Sequence, residues 1–484
     1  MYFKRIVIEN IKGFPGRHDF DFARGLNYLV GDNNCGKSTL FEALLYLVSG
    51  KPTGGDFKSV GVEQPIRIEA VLAGADLRAL VDDAKFVKYA EYLHDDGGED
   101  AFRVERMDAN RTVVQGAGKP VNLSAKTACF WHPARKQFEN PTGIDALFRA
   151  LVDLQPIWAD EDPADVTDFS TTKTLGRLVD AAAQPFFGTP AWSAFLDAHN
   201  MTFGGSGEES LVGHAASIAS DLQQLVDEQY GTTRVRLGFE VPAPAAFVKM
   251  GQILVDDGAG ETDLASKGTG MQRAFALAVI QLYARSRVAE AGAAERHVLL
   301  VDEPETWLHP SAQLRLGQAL AQVALSQQVF LITHSPYLIR TFDSGSHQLT
   351  VFRGRGPERE IAVSRLMGIG GSGSPTWGEI TYRAFGIASR EFHDELYGLA
   401  QNKCGAALGL DSDDSAKEKQ VDDWLATTGL ARSHQWTRPG WQPYNVTLPV
   451  FVRNLIHHPE NALNGKLSEE DLARSTTELL SVVM

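Results

Sequence analysis

Short apolar runs alternate with longer segments of helical periodicity along most of this chain. Two runs near the start, 6–11 and 26–30, have the length and composition of strands, and the second leads through a glycine-containing loop into a helical run at 38–48. Further strand-like runs lie at 66–72, 127–131, 298–302 and 329–333. The last two are almost wholly apolar, as strands buried in a parallel sheet are. The pattern therefore predicts an α/β fold.

The same pattern predicts how the chain is divided. Apolar positions such as Leu175, Leu178 and Val179 recur at helical spacing, which indicates a helical insertion. The glycine-rich segment 368–375 has the composition of a linker, and a mainly helical module is expected beyond it. The predicted parts are an N-terminal lobe with the glycine loop at 1–139, the insertion at 140–230, the rest of the same domain at 231–367, the linker at 368–375 and the C-terminal module at 376–484.

The glycine loop carries the clearest chemical signal. Residues 31–38 read G-D-N-N-C-G-K-S and match the phosphate-binding motif G-x-x-x-x-G-K-[ST], between a predicted strand and a predicted helix. Loop amides and the helix N-terminus would bind a phosphate, with Lys37 on the β- and γ-phosphates and Ser38 on magnesium. For an isolated match, a glycine-rich turn before a helix is the alternative. The candidate nucleotide-binding residues are Gly31, Asn33, Asn34, Gly36, Lys37, Ser38 and Thr39.

Two later strand ends carry the groups that hydrolysis needs. Asp302 and Glu303 follow one apolar run, with the first suited to the magnesium shell and the second to activating water. His334 follows the next run. An acid pair alone is usually a solvated loop, and a single histidine is more often structural, but all three follow a phosphate loop in order. The sequence predicts ATP and Mg²⁺ as cofactors.

This order of motifs, with the segment G-T-G-M-Q at 268–272 between them, resembles the ABC ATPases of the SMC, RecF and OLD type over roughly residues 1–350. The resemblance implies a P-loop ABC-type ATPase head with Lys37, Glu303 and His334 as catalytic residues. It also implies a head-to-tail homodimer or larger assembly.

In such dimers the glycine segment binds the γ-phosphate held by the other subunit. The resemblance therefore assigns that role to Thr269, Gly270 and Gln272. The segment departs from the transporter signature L-S-G-G-Q at Thr269 and Met271. Family members also sense magnesium through a glutamine after a strand, for which Gln137, with Arg135 beside it, is the candidate metal-site residue.

The C-terminal module holds a second candidate site. Arg453, Asn454 and His458 spell R-N-x-x-x-H, which resembles the motif of the metal-independent HEPN ribonucleases. Histidine suits proton transfer and arginine suits an anionic phosphorane. Alternatively, Arg453 and His458 end a helix before Pro459 or contact the ATPase domain. The acids at 411–414 look like part of a Toprim site, but a solvated acidic loop is favoured since an upstream Glu-Gly pair is missing.

Composition limits the kinds of binding partner and the cellular compartment that we expect for this protein. The 484 residues have a formal net charge of −15, which argues against nucleic-acid binding through the global field and leaves a local basic groove open. Three cysteines without a C-x-x-C pair suggest a reducing compartment. No apolar stretch approaches the ~20 residues of a membrane span. We expect a cytoplasmic protein that does not enter membranes.

Two functions remain open at this stage. One is an ATPase that gates nucleic-acid damage in anti-phage defence, through its own C-terminal module or a separate nuclease subunit. The alternative is a RecF-like DNA repair ATPase that binds DNA without cleaving it. The nonstandard signature argues against a transporter subunit.

Overall fold

The structure is a computed structural model of the chain. It describes residues 1–484 except 53–55, 116–117, 159–161, 172, 205–208, 259, 291–296, 307, 355–358, 365, 367, 369–374 and 411–414. Most of the predicted linker, and the acids of the Toprim-like segment, therefore lie outside the described residues.

The strands, in chain order, are β1 (Tyr2–Ile11), β2 (Phe14–Asp21), β3 (Leu26–Gly31), β4 (Arg67–Ala73), β5 (His94–Asp95), β6 (Asp100–Met107), β7 (Arg111–Gln115), β8 (Lys119–Leu123), β9 (Ala128–His132), β10 (Gln137–Glu139), β11 (Asp153–Ile157), β12 (Leu254–Asp256), β13 (Glu261–Asp263), β14 (His297–Asp302), β15 (Gln328–Ile332), β16 (Gln348–Arg353), β17 (Glu360–Ser364), β18 (His434–Trp436) and β19 (Tyr444–Val446).

The α-helices are α1 (Lys37–Ser49), α2 (Asp76–Asp82), α3 (Ile144–Leu151), α4 (Pro163–Val166), α5 (Thr174–Ala183), α6 (Pro190–His199), α7 (Leu211–His214), α8 (Ala216–Gln229), α9 (Pro244–Lys249), α10 (Thr269–Glu290), α11 (Pro310–Val323), α12 (Pro336–Ile339), α13 (Trp377–Phe385), α14 (Arg390–Ala407), α15 (Glu418–Thr427), α16 (Leu448–His457) and α17 (Glu469–Val483).

A six-stranded sheet holds the predicted phosphate loop and the two later strand ends. Its order is β11-β14-β15-β3-β16-β17, and all neighbours are parallel except the edge strand β17. Every residue of β14 and of β15 is buried, as their apolar sequences predict. Because parallel strands end at the same edge of a sheet, β3, β14 and β15 deliver the residues that follow them to one place. The predicted α/β fold is confirmed.

The second large sheet is antiparallel, with the order β10-β9-β6-β4-β1-β2 and β5 paired to β6. The principal core includes buried side chains of both large sheets and of α1. Its members include Ile6, Leu29, Phe41, Leu300 and Phe330. This packing fixes the phosphate loop against the strand ends beside it.

The chain divides into two compact units, residues 1–159 with 288–484 and residues 160–287. The second unit contains α4 to α9 and most of α10, with an aromatic cluster around Trp192. The range predicted as a helical insertion, 140–230, begins differently from the prediction. Its strand β11 pairs in parallel with β14 and forms the edge of the six-stranded sheet.

The C-terminal module consists of α13 to α17 and the hairpin β18–β19. Its core contains Phe392, Leu396, Val421 and the fully buried Trp436. Within the described residues, no helix combines the length and the apolar character that crossing a bilayer requires.

Candidate nucleotide site

The loop between β3 and α1 has a backbone that glycine alone fits. Gly31 has φ 136° and Gly36 has φ 98°, both in the left-handed region. A Cβ atom on Gly31 would lie 1.8 Å from the Phe352 carbonyl oxygen, and one on Gly36 would lie 2.5 Å from the Phe14 ring. The two glycines of the motif are thus required by close contacts as well as by backbone conformation.

Lys37 begins α1 and turns its side chain back over the loop. Its Nζ donates to the carbonyl oxygens of Gly31, at 3.1 Å, and of Asp32, at 2.8 Å. The residue is only 5% exposed. Asn33 and Asn34, by contrast, are exposed. The Lys37 ammonium is therefore buried against the backbone of a loop whose Asn33 and Asn34 are open to solvent. A bound phosphate can replace its two carbonyl acceptors.

Ser38 and Asp302 meet at the strand edge although 264 residues separate them. The Ser38 hydroxyl donates to Asp302 Oδ2 at 2.9 Å, and Asp302 is buried at the end of β14. A hydroxyl and a carboxylate are hard oxygen ligands of the kind that Mg²⁺ prefers beside nucleotide phosphates. The two side chains fit a magnesium ion, which would neutralise phosphate charge when bound. Thr39, the next residue of α1, is buried.

Glu303 and His334 form a second pair at the same edge. Glu303 Oε1 lies 3.3 Å from His334 Nε2, and both side chains are about one-third exposed. Glu303 has φ 44°, and its N–H donates to the Ile332 carbonyl oxygen at 2.9 Å. Burial and the nearby Lys37 ammonium lower the pKa of His334. A neutral imidazole beside a carboxylate can donate a hydrogen bond while the carboxylate accepts a proton from water.

Glu305 is a residue that the sequence reasoning did not single out. Its Oε1 accepts hydrogen bonds from the Thr333 hydroxyl, at 2.8 Å, and from the His334 backbone N–H. Burial raises the pKa of Glu305. The carboxyl group thereby ties the turn after β14 to the turn after β15. The only signal in the sequence was a second glutamate two positions after Glu303.

The signature candidates lie in the unit formed by residues 160–287. Thr269 is the first residue of α10 and is exposed, and Gly270 follows it. Gln272 folds back, because its Nε2 donates to the carbonyl oxygens of Ala265, at 3.0 Å, and Lys267, at 2.7 Å. An exposed helix N-terminus of this kind can accept an anion from another molecule.

Gln137 belongs to a different sheet from the strands that carry the nucleotide site. Gln137 lies on β10, the edge strand opposite β2, where its Nε2 donates to Glu139 Oε1 at 2.8 Å. Arg135 is bound to the same carboxylate, with its Nε 2.6 Å from Oε1. The metal role of Gln137 stays a prediction, and its amide is engaged by Glu139 within the antiparallel sheet. The strand before it pairs within the antiparallel sheet, whereas the strand beside β14 is β11.

Of the three C-terminal candidates, Arg453 and Asn454 share one partner and His458 has another. Arg453 Nη1 lies 3.4 Å from Glu418 Oε2, and the fully buried Asn454 donates to Glu418 Oε1 at 3.0 Å. His458 follows α16, with its Nδ1 3.4 Å from Glu460 Oε1. These contacts give Arg453 and Asn454 a structural role in joining α16 to α15.

Comparisons with known proteins find ATPase domains and a phage nuclease similar to this chain. A model of an AAA domain matches residues 5–126, and a model of an AAA ATPase domain matches residues 210–339. The Old nuclease of Escherichia phage P2 is 26% identical over 328 residues, which cover 65% of this chain and 54% of that protein. The chain is an ABC-type ATPase of the SMC, RecF and OLD group. It spans about half the length of the phage relative.

Shorter matches of this ATPase include two DNA replication and repair proteins RecF. The protein from Mannheimia succiniciproducens is 38% identical over 69 residues, or 14% of this chain and 18% of the relative. Its counterpart from Pasteurella multocida is 38% identical over 71 residues, or 13% and 18%.

Among solved structures, an SMC head bound to the C-winged helix domain of ScpA aligns with a TM-score of 0.43 and 14% identity, covering 76% of this chain and 99% of the other. The SMC head domain from Thermotoga maritima aligns with a TM-score of 0.37 and 12% identity, covering 75% and 100%. The α/β fold is therefore assigned from the strand order and direction of the six-stranded sheet.

Proposed function

We propose that this ATPase binds ATP with Mg²⁺, hydrolyses it between two head-to-tail copies of the chain, and uses the cycle to control an attack on nucleic acid. The observation that carries the proposal is the meeting of Ser38 with Asp302, and of Glu303 with His334, at one edge of the parallel sheet. Lys37 supplies the phosphate-binding cation. Thr269, Gly270 and Gln272 are assigned to the nucleotide of the other copy.

Replacement of Glu303 tests the hydrolytic part. Glu303→Gln removes the base but keeps the size of the side chain, so we expect ATP binding to persist while phosphate release falls at least a hundredfold. Light scattering with ATP should show a stable dimer for this variant. Glu360→Gln, at an exposed position of β17, is the matched control.

Lys37→Ala should lose both ATP binding and turnover, because it removes the buried ammonium that donates to the loop carbonyls of Gly31 and Asp32. Full turnover by Glu303→Gln would remove the general base from the proposal. A monomer under every nucleotide condition would remove the sandwiched dimer.

The nucleic-acid part of the proposal is supported by the relatives. One is by name a nuclease, and two are by name DNA replication and repair proteins. From these relatives we infer that this chain also acts on nucleic acid, in anti-phage defence. The cleavage is made by a C-terminal ribonuclease or by a separate nuclease subunit. The three cysteines are free and buried, which suits a reducing cytoplasm.

The C-terminal ribonuclease is the narrower version of this proposal. His458 is the accessible acid–base group of the motif, whereas Arg453 and Asn454 are engaged by Glu418. The test is incubation with ATP, Mg²⁺, total tRNA and plasmid DNA, with phosphate release measured beside gel integrity. RNA cleavage that disappears in His458→Ala would support the ribonuclease, and cleavage that survives in Arg453→Ala/His458→Ala would contradict it.

A RecF-like ATPase that binds DNA without cutting it is the second candidate function, favoured by the RecF matches near 38% identity. ATP-dependent, salt-sensitive binding of intact DNA would select it over the nuclease versions.

A further inference from the structure

The hairpin formed by β16 and β17 lies against the phosphate loop. Its strand β16 is the parallel neighbour of β3, which leads into the loop. The Asp32 N–H donates to the Phe352 carbonyl oxygen at 3.2 Å, and the Gly354 N–H donates to Asp32 Oδ2 at 3.2 Å. Arg359 stands directly before β17. The hairpin therefore supports one side of the loop and carries an arginine to it.

The Arg359 side chain lies between the phosphate loop and the turn that joins β1 to β2. Its guanidinium carbon is 4.0 Å from the centre of the Phe14 ring, and its Nη1 donates to the Gly13 carbonyl oxygen. Its Nη2 lies 3.5 Å from the position that a Cβ atom on Gly36 would occupy. The guanidinium group is therefore held beside the glycine that directly precedes Lys37.

The Arg359 guanidinium has no carboxylate partner in the part of the chain that the structure describes. Its Nε is buried there without a hydrogen-bond acceptor, whereas Lys12, in the turn between β1 and β2, is paired with Glu42. Burial lowers the pKa of Arg359, and Cys35 of the phosphate loop opposes this effect. A partly buried cation without a counter-ion is stabilised by an anion that binds beside it.

We propose that Arg359 is a further nucleotide-binding residue, whose guanidinium group binds the phosphate chain of the ATP held by Lys37. The phosphate loop decides which anion this is, because Arg359 lies beside Gly36, a residue assigned to the phosphates. The Nε and Nη2 atoms carry N–H groups that Gly13 does not use, and a guanidinium group binds phosphate oxygens through several donors at once. The inference rests on the proposed binding of ATP and adds one residue to it.

The experiment measures the affinity of the full chain for a fluorescent ATP analogue with Mg²⁺, by anisotropy, and the melting temperature of each variant. Arg359→Met keeps an unbranched side chain over the Phe14 ring but removes the charge, so the affinity should fall about tenfold. Arg359→Lys restores a cation and should recover part of this loss. Arg353→Met is the matched control, since it removes an exposed arginine of the same hairpin whose guanidinium group lies beside Gly386.

The outcomes separate this residue from the broader proposal. Wild-type affinity in Arg359→Met would overturn the role of Arg359 and leave ATP binding by the loop standing. Equal losses of affinity in Arg359→Met and Arg359→Lys, with a lower melting temperature in both, would overturn it in favour of a structural clip on Phe14. Absence of binding of the analogue by the wild-type chain would overturn both this inference and the proposed function.

Discussion

Replacement of Glu305 by alanine should slow ATP hydrolysis while leaving ATP binding nearly unchanged. The Glu305 side chain accepts hydrogen bonds from the Thr333 hydroxyl and the His334 N–H, and its part in the site is to hold these groups instead of binding the nucleotide. Its carboxyl group instead holds the turn that presents His334 to Glu303, 3.3 Å away. Glu305 is therefore expected to act as a positioning residue for the hydrolytic pair.

The size of the effect follows from what the substitution leaves behind. Without the carboxyl group, Thr333 and the backbone of His334 lose their acceptor in a buried setting, which costs about 1–3 kcal/mol. If the turn moves away from Glu303 to satisfy these donors, restoring the productive position of His334 costs the same free energy in the transition state. Turnover should then fall about 5- to 150-fold. The assay is steady-state phosphate release, with the affinity for a fluorescent ATP analogue measured separately.

The conservative variant separates positioning from general damage. Glu305→Gln keeps an oxygen for the two donors, so most of the turnover should return. Burial raises the pKa of Glu305, so its ionisation lowers stability as the pH rises above the ordinary value of 4.5. Glu305→Gln should therefore gain thermal stability relative to wild type at pH 8 but not at pH 4. Wild-type turnover in Glu305→Ala, or equal loss of turnover and of ATP affinity, would refute the reasoning.

Two further predictions concern stability. Gly31→Ala should destabilise the protein by more than the ~1–3 kcal/mol of backbone strain, because the added Cβ atom would lie 1.8 Å from the Phe352 carbonyl oxygen. Chemical denaturation measures the free energy of unfolding, and an unchanged midpoint would contradict this geometry. Burial lowers the pKa of His393, so the folded protein favours the neutral imidazole. The stability that this histidine contributes to the fold is complete above about pH 6.5 and is lost as the pH falls. The melting temperature should drop between pH 7.5 and 5.5, and His393→Gln should flatten that drop.

The sequence alone was sufficient for the α/β class and for the phosphate loop. Loop geometry is local, since glycines at 31 and 36 and a lysine at 37 are dictated by backbone conformation and by the helix that follows. Apolar runs likewise identified β14 and β15, because strands buried on both faces must be apolar along their length.

Only the tertiary structure decided which strand lies beside which. Gln137 follows a strand that reads like the others, yet that strand pairs in the antiparallel sheet, and the strand beside β14 is β11. The contacts of Glu305 with the turn after β15, and of the buried Asn454 with Glu418, are likewise seen only in the tertiary structure. Strand pairing and side-chain partners depend on contacts between residues distant in the chain, and periodicity along the sequence carries no information about them.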